Sequence, residues 1–328
     1  MAARILGTGS ALPEHVETND ELCASLAGVT PEDIVAKSGI HSRRIAGPDD
    51  TATALATDAA RHALENAGVA ADQVGLVVAC TYSADYVFPP ASVKVAAELG
   101  CAGPQCFDLQ ANCTGFVNGL TVAADRLAGD PELGHAIVIG VELQTRFVDR
   151  TDGEIASSFA DGAAAAVLGA SDAPGGLLGS AFATDASNWE AVRLRAGGSS
   201  YPMGHAALDN GAGHIEQAPL APGRQAITHL PGTIRRACEK ADVELADIDL
   251  ILFHQANRPL IDYLMRKLRI DPSKTHTNVE HVGNTGAASV GIVLDEAARD
   301  GRLAPGAKVL LAAAGAGFTF GASVWEWA

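Results

Sequence analysis

The second half of the chain repeats the residue pattern of its first half. Residues 63–81 read as the end of an amphipathic helix, a short acidic turn and an apolar strand, and residues 237–254 read in the same order. The order and the spacing are kept over about fifty residues in each half, so a chance likeness between alanine-rich helices is the weaker explanation. The pattern indicates two copies of one β/α unit.

The elements that follow the repeat match as well. Thr114 and Thr285, each followed by glycine, open helical stretches, and apolar runs follow at 136–141 and 309–314. Runs of this length suit buried parallel strands. Two copies of such a unit predict an α/β fold in which mostly parallel sheets pack against helices through right-handed crossovers. We place the two halves at 1–170 and 171–328.

The segment 171–230 departs from this pattern. It is rich in glycine, proline and alanine, and no helical or strand periodicity runs through it. We expect one strand there, with excursions over the surface or over the mouth of a site.

The overall composition limits the class of protein. Of 328 residues, 48% are apolar and only 19% are charged, so a large buried core is expected and disorder is not. The formal net charge of −16 opposes binding to nucleic acid or to an anionic membrane surface, because both attract a positive field. The apolar runs are too short to span a bilayer.

The cysteines indicate a reducing compartment. Six cysteines are present without CxxC spacing, and the N-terminus lacks the apolar stretch of a secretory signal. We therefore expect free thiols, a cytoplasmic location and no metal site. Cys80 and Cys238 lie in apolar stretches and are expected to pack in the core, whereas Cys101 and Cys106 flank a Gly-Pro turn without evident chemistry.

Cys113 is the cysteine whose position suggests chemistry. It lies in Ala-Asn-Cys-Thr-Gly-Phe at 111–116, where a polar turn leads into a helical stretch that reaches Leu127. Unpaired N–H groups and the dipole at a helix N-terminus favour a thiolate, and small neighbours leave room for a substrate. An inert buried thiol is the alternative interpretation.

Two further polar residues stand at equivalent junctions. His254 ends an apolar strand and precedes Gln-Ala-Asn, and Asn284 lies before the glycine-containing start of a helix. Taken alone, the histidine could cap a turn and the asparagine could cap its helix. Loops at the carboxyl ends of strands form the sites of α/β proteins, so these side chains and Cys113 could converge. The small residues at 314–317 could present backbone N–H groups to an oxyanion.

Together these motifs resemble the β-ketoacyl-ACP synthase III family, within the thiolase-fold condensing enzymes. The resemblance runs from end to end and is poorest across 185–230. The motifs that carry it are the context of Cys113, the His-Gln-Ala-Asn at 254–257, the Gly-Asn-Thr-Gly-Ala-Ala-Ser at 283–289, the Gly-Ala-Gly-Phe-Thr-Phe-Gly at 315–321, the Phe-Pro at 88–89 and the stretches 5–13, 38–45 and 159–162. The resemblance implies a thiolase-like five-layered αβαβα fold made of two duplicated halves, and a homodimer.

The resemblance also implies a mechanism. Cys113, His254 and Asn284 would form a catalytic triad, in which Cys113 takes an acyl group from a thioester and the backbone N–H groups of Cys113 and Ala316 hold the oxyanion. A malonyl-type thioester on an acyl carrier protein would then lose CO₂. His254 and Asn284 would stabilise the enolate that attacks the acyl group. No cofactor is implied, since the substrates are themselves CoA or phosphopantetheine thioesters.

The same resemblance suggests substrate-binding residues. Phe318 and Phe88 are implied for the acyl pocket, with Phe88 reaching the pocket of the partner subunit. Lys37, Asn257 and Arg258 are implied for binding of the thioester or the carrier protein. The helix that carries Arg258 also carries the basic residues Arg266, Lys267 and Arg269, which either form a docking face for an acidic carrier protein or are an ordinary solvated face.

The chain departs from the family at its nucleotide site. Asp33 occupies the position of a tryptophan that usually stacks on the adenine of CoA, and Thr151 stands near a position that is usually arginine. Loss of an aromatic platform removes about 1–3 kcal/mol of stacking, and a carboxylate repels a polyanion. We therefore expect CoA to be bound poorly or through other residues, or the first acyl group to come from a carrier protein.

Two other functions remain open from the sequence. An acyltransferase of the same fold could pass the acyl group from Cys113 to an alcohol or an amine. Such an enzyme needs a base, and Asn284 is not one. A catalytically silent partner subunit of a heteromeric synthase is the third hypothesis, against which the intact triad argues. The leading hypothesis is a ketosynthase of fatty-acid or specialised polyketide biosynthesis.

Overall fold

The computed structural model describes residues 2–26, 28–171 and 175–328. Its strands and α-helices alternate along most of the chain, with short 3₁₀ turns between them. The strands are β1 (Ala2–Ala11), β2 (Val16–Thr18), β3 (Ser42–Arg44), β4 (Val74–Cys80), β5 (Gln105–Leu109), β6 (His135–Leu143), β7 (Asp161–Ser171), β8 (Gly176–Thr184), β9 (Val192–Leu194), β10 (Ile215–Gln217), β11 (Leu250–Phe253), β12 (Lys308–Gly315) and β13 (Thr319–Glu326). The α-helices are α1 (Asn19–Cys23), α2 (Pro31–Ser38), α3 (Ala52–Ala67), α4 (Ala91–Leu99), α5 (Gly115–Gly129), α6 (Gly153–Ala156), α7 (His205–Asp209), α8 (Ala221–Ala241), α9 (Arg258–Leu268), α10 (Val279–Val282) and α11 (Ser289–Arg299).

Two sheets with the same strand order carry the duplication. The first sheet has the order β5-β4-β6-β7-β1, with β5, β4 and β6 parallel and β7 and β1 antiparallel to their neighbours. The second has the order β11-β12-β13-β8, with the same change from parallel to antiparallel pairing. A single parallel bridge from Ile251 to Thr275 stands where the fifth strand would pair. The sheets use residues 2–171 and 176–326; the division of the chain near residue 170 into two halves stays a prediction.

The sheets and helices stack in five layers. Helices α3 and α4 pack on the outer face of the first sheet, α8 packs on the outer face of the second sheet, and α9 packs against α8. Helices α5 and α11 lie between the sheets and contact both of them. Each face carries its own apolar core, and the central core includes the fully buried Phe116 and Leu120 of α5 and Val293 of α11. The predicted thiolase-like αβαβα fold is confirmed.

The apolar runs named in the sequence form the central strands. The segment 136–141 lies within β6, and the side chains from Ala136 to Ile139 are fully buried because helices cover both faces of the sheet. The segment 309–314 lies within β12 and pairs in parallel with β11. Cys80 and Cys238 are buried in the core, as predicted, and the six cysteines are free thiols in the described structure.

The segment 171–230 holds more regular structure than the single strand that we predicted. It contains β8, β9, β10 and α7, and α8 already begins at Ala221 with Pro222 in its first turn. Residues 172–174 lie outside the described structure. Among the residues that are described, no helix is long and apolar enough to cross a membrane, and no group of side chains is arranged to hold a metal ion.

Candidate active site

One cavity of about 1040 Å³ lies where loops of the two sheets meet. Its wall includes Cys113, which follows β5 and a short loop, together with His254 after β11 and Asn284 before α11. The loop after β12 contributes Ala316 and Phe318. The structure therefore brings the five residues predicted for the triad, the oxyanion site and one wall of the acyl pocket to one space.

The segment 185–230 forms the other side of this cavity. Trp189 and Met203 line it and are about half exposed, and the side chains of β9 also lie in the wall. The expectation of excursions over the site mouth is thus confirmed, although the excursions include a small sheet of β9 and β10.

A sharp turn presents Cys113 to the cavity. Asn112 has a φ of 48°, in the left-handed region that asparagine tolerates better than most residues. Its side-chain amide donates to the carbonyl oxygen of Ala316 at 3.1 Å. The end of β12 approaches so closely that a Cβ built on Gly315 would lie 3.1 Å from the backbone nitrogen of Cys113. The backbone of the predicted oxyanion pair, Cys113 and Ala316, is therefore held side by side.

Burial opposes the thiolate that the helix N-terminus favours. Desolvation, with a smaller contribution from the Glu142 carboxylate, raises the pKa of Cys113 to about 12. A helix dipole alone does not offset this cost, so the resting side chain is a protonated thiol that opens onto the cavity. The prediction that this position favours a thiolate is therefore contradicted, because burial raises the pKa of Cys113.

A short hydrogen bond to Ser289 orients the ring of His254. Its Nδ1 lies 2.6 Å from the hydroxyl oxygen of Ser289, and the N–H of Gln255 points to that same oxygen at 3.4 Å. A serine hydroxyl can donate as well as accept, and we assign its proton to the contact with Nδ1, which leaves the proton of the ring on Nε2. Burial lowers the pKa of His254 to about 4, so the ring is neutral at pH 7. It is a hydrogen-bond donor rather than a cation.

Hydrogen bonds to Asn284 leave its amide nitrogen for the cavity. The backbone N–H of Gly286 donates to Asn284 Oδ1 at 3.0 Å, a turn contact between residues two apart. The predicted N-cap role of Asn284 is wrong, because Thr285 and Ala288 stand at the N-caps of the following 3₁₀ turn and of α11. Within the residues that the structure describes, Asn284 Nδ2 has no acceptor. The turn contact and the predicted catalytic role are therefore compatible, because they use opposite ends of the same amide.

Three polar residues beside the cavity were not predicted from the sequence. Glu142 and Gln144 lie at the end of β6, and Tyr82 lies in the loop after β4. Glu142 is fully buried and accepts from the hydroxyls of Ser83 and Thr81. Burial raises its pKa to about 8. The sequence signal that could have identified Glu142 and Gln144 is their spacing: two polar residues two positions apart, directly after the apolar run 136–141.

Gln144 joins Tyr82 to the loop that carries Asn284. The Tyr82 hydroxyl donates to Gln144 Oε1 at 3.0 Å, and Gln144 Nε2 donates to the Asn284 carbonyl at 2.6 Å and to the Ala160 carbonyl at 3.1 Å. Tyr82 and Gln144 both line the cavity.

The residues implied for substrate binding lie in different places. Asn257 lines the cavity and also caps α9, its side chain accepting from the Leu260 N–H at 2.9 Å. Lys37 is exposed on α2, outside the cavity wall, and Phe88 projects from the surface with 84% of its area exposed. Arg258 lies beyond the wall and pairs with Asp262 at 2.8 Å and Glu280 at 2.6 Å.

The two residues that depart from the family pattern, Asp33 and Thr151, have local hydrogen-bond partners. Asp33 is the third residue of α2, and its carboxylate accepts from the backbone and hydroxyl of Thr30 in a capping box. Thr151 donates through its hydroxyl to Asp149 at 2.7 Å. The carboxylate at position 33 is thus explained by helix capping, and the structure shows no aromatic side chain in its place.

Comparison with known proteins identifies the family. Residues 107–186 match the model described as 3-oxoacyl-(acyl-carrier-protein) synthase III, and residues 238–327 match the model of its C-terminal part. A β-ketoacyl-(acyl-carrier-protein) synthase III of Bordetella petrii is 40% identical, over 97% of this chain and 96% of that protein.

Solved structures are similar over the whole chain. The 3-oxoacyl-(acyl carrier protein) synthase III of Pseudomonas aeruginosa is 31% identical with a TM-score of 0.91, and the match covers 100% of this chain and 98% of that one. A priming β-ketosynthase of a polyketide biosynthetic pathway is 32% identical with a TM-score of 0.92, over 99% and 96% of the two chains. The chain therefore belongs to the 3-oxoacyl-(acyl-carrier-protein) synthase III family of condensing acyltransferases.

Proposed function

We propose that the chain transfers an acyl group to Cys113 and then joins it to a malonyl-type thioester on an acyl carrier protein, with loss of CO₂. The observation that carries this proposal is the convergence on one cavity of a thiol and two neutral hydrogen-bond donors, His254 Nε2 and Asn284 Nδ2. Two donors and no base suit an enolate better than an alcohol or amine nucleophile, which must lose a proton.

In the first half-reaction the sulfur of Cys113 attacks the carbonyl carbon of an acyl thioester. The oxyanion lies against the backbone N–H groups of Cys113 and Ala316, and the carbon–sulfur bond of the donor breaks. The departing thiol carries away the proton that the Cys113 thiol gives up. Since burial holds the pKa of Cys113 high, we expect attack and proton transfer to be coupled.

In the second half-reaction the malonyl thioester loses CO₂, and the bonding electrons form an enolate. Its oxygen accepts from His254 Nε2–H and Asn284 Nδ2–H, and its carbon attacks the acyl carbon on Cys113. The tetrahedral oxyanion collapses, the carbon–sulfur bond to Cys113 breaks and the new ketone leaves. The expelled Cys113 thiolate takes a proton from solvent, which is the one proton that the overall reaction consumes. The substrates supply the CoA or phosphopantetheine group, so the proposed steps use no cofactor.

A screen of donors and extenders tests this function against its alternatives. Acyl-CoA and acyl-carrier thioesters are incubated with and without malonyl-carrier, and the adduct on Cys113, the CO₂ and the product mass are measured. CO₂ release with a heavier ketone supports condensation. Acyl transfer without CO₂ supports an alcohol or amine acceptor, and absence of any adduct on Cys113 supports a silent subunit. Cys106→Ser, a half-buried cysteine outside the cavity wall, is the matched control for Cys113→Ser.

We propose that the acyl donor is bound without the usual adenine platform. Asp33 is committed to its capping box and adds negative charge where a polyanionic nucleotide would lie. A carrier-bound donor avoids this position. Efficient acylation of Cys113 by radiolabelled acyl-CoA, with little from the acyl-carrier form, contradicts this proposal.

The carrier protein is proposed to dock on the end of α9. The two carboxylates that pair with Arg258 compensate its charge, whereas Arg266 and Arg269 are exposed at the C-terminal turn of the helix. Carrier proteins are acidic, so these two cations provide the attraction. We expect charge reversal at Arg266 and Arg269 to raise KM for carrier substrates without changing it for a CoA thioester. Arg61→Glu, on the exposed side of α3, is the control.

The enzyme is proposed to act as a cytoplasmic homodimer. The loop from Tyr86 to Phe88 is exposed to 62%, 95% and 84% at its successive residues, an apolar surface that a second copy would cover. Light scattering tests the dimer, and a monomer at micromolar concentration contradicts it.

A further inference from the structure

The side chain of Gln144 is buried at the point where the first sheet meets the loop of Asn284. It is 1% exposed and lies just beyond β6, two residues after the buried Glu142. A buried amide costs free energy unless its hydrogen-bonding groups are satisfied. Both ends of this amide are satisfied, by Tyr82 on one side and by two carbonyl oxygens on the other.

These contacts hold the backbone of Asn284 from several directions. Its carbonyl oxygen accepts from Gln144 Nε2 at 2.6 Å and from the N–H of Ala160 at 2.8 Å. Its own N–H donates to the carbonyl of Ser158 at 3.0 Å. Of these three contacts, the bond from Gln144 is the one that comes from a side chain, and Gln144 also lines the cavity beside Asn284.

The fit around Gln144 is close. A Cβ built on Gly286 would lie 2.9 Å from Gln144 Oε1, and one built on Gly140 of β6 would lie 2.6 Å from the carbonyl oxygen of Ala287. Glycine at both positions thus allows the loop 284–288 to sit against the end of β6. A small displacement of this loop would move the amide nitrogen of Asn284 relative to the thiol.

We propose that Gln144 is a positioning residue for the condensation step. It holds the Asn284 carbonyl, and through it the direction of Asn284 Nδ2 toward the enolate oxygen, while Tyr82 keeps the Gln144 amide in the orientation that donates. This inference rests on the proposed function, because it assigns Asn284 to the second half-reaction only. Acylation of Cys113, which does not use Asn284, does not depend on Gln144.

The test is Gln144→Met, which keeps nearly the same volume and removes the hydrogen bonds. Acylation is measured at saturating short-chain donor, and condensation is measured in a single turnover from enzyme already acylated on Cys113. We expect condensation to slow about tenfold, the effect of losing one hydrogen bond to a carbonyl that stays buried, and acylation to change less than twofold. Gln105→Met, an exposed glutamine at the start of β5, is the control for both rates.

A double-mutant cycle separates positioning from general destabilisation. In an Asn284→Ala background the amide that Gln144 positions is absent, so Gln144→Met is expected to cause no further loss of condensation. A further tenfold loss in that background overturns the inference, as does equal slowing of acylation and condensation in the single variant. Wild-type enzyme that forms no condensation product refutes the proposed function instead, and thermal unfolding identifies a variant that has not folded.

Discussion

Ser289 is expected to control the proton that His254 offers to the enolate. The Ser289 hydroxyl contacts His254 Nδ1 at 2.6 Å in a buried site, and we assign the hydroxyl proton to this contact. Ser289→Ala removes the bond that favours the Nε2–H tautomer. Such a bond contributes about 1–1.5 kcal/mol net, which corresponds to a factor of about five to thirteen in the population of the competent tautomer. We expect single-turnover condensation to fall by this factor.

Ser92→Ala is the matched control for this experiment. Ser92 is also fully buried, but its hydroxyl has no hydrogen-bond partner among the described residues, so its removal leaves no group newly unpaired. Both variants are followed by release of labelled CO₂ from malonyl-carrier with enzyme acylated beforehand on Cys113, and acylation is timed separately. Condensation that is unchanged in Ser289→Ala, or reduced equally in Ser92→Ala, would refute the assignment of the tautomer.

Three further predictions follow from burial and exposure. Because the pKa of His254 is lowered to about 4, the condensation rate should show no loss with an apparent pKa near 6.5 as the pH falls from 7 to 5.5; a pH–rate profile with such a limb contradicts the neutral donor. Glu142 keeps its proton in the folded state up to about pH 8 but loses it from 4.5 upward in the unfolded chain, so wild-type stability falls as pH rises through this window. Denaturant titrations at several pH values measure the free energy of unfolding of Glu142→Gln minus that of wild type. We expect this difference to rise with pH by at most about 1.4 kcal/mol per pH unit, and a difference that stays constant contradicts the raised pKa. Phe88→Ala should weaken the proposed dimer by about 1.5–3 kcal/mol, measured as a shift in the monomer–dimer equilibrium by sedimentation, and an unchanged equilibrium excludes burial of this side chain in a partner.

The sequence was sufficient for the parts of the molecule that depend on short-range pattern. The run 136–141 is apolar throughout because both faces of β6 are covered, and this pattern is visible without coordinates. The positions of Cys113, His254 and Asn284 followed from the rule that loops after parallel strands converge. Their common cavity agrees with that rule, while their catalytic roles stay predictions.

The remaining features depend on contacts between distant residues. The bond from Gln144 to Asn284 joins residues 140 positions apart, and its formation depends on how the end of β6 meets a loop of the other sheet. The start of α8 at Ala221 was missed because a segment rich in proline and glycine has no periodicity, although Pro222 is suited to a first helical turn. The direction of the Cys113 pKa was misjudged because desolvation depends on how segments distant in sequence pack around the thiol.

The contact of Gly140 with Ala287 has a consequence for how activity arises during folding. The backbone hydrogen bonds of each sheet are formed among its own strands. The thiol of Cys113, however, belongs to a loop of the first sheet, whereas His254 and Asn284 belong to loops of the second half of the chain. The site is therefore complete only where the two sheets dock, and the absence of a side chain at position 140 allows the opposite loop to approach β6. A methyl group at position 140 would leave both sheets formed but would push the loop of Ala287 away from β6. Cys113 would then no longer lie at the correct distance from Asn284 for carbon–carbon bond formation.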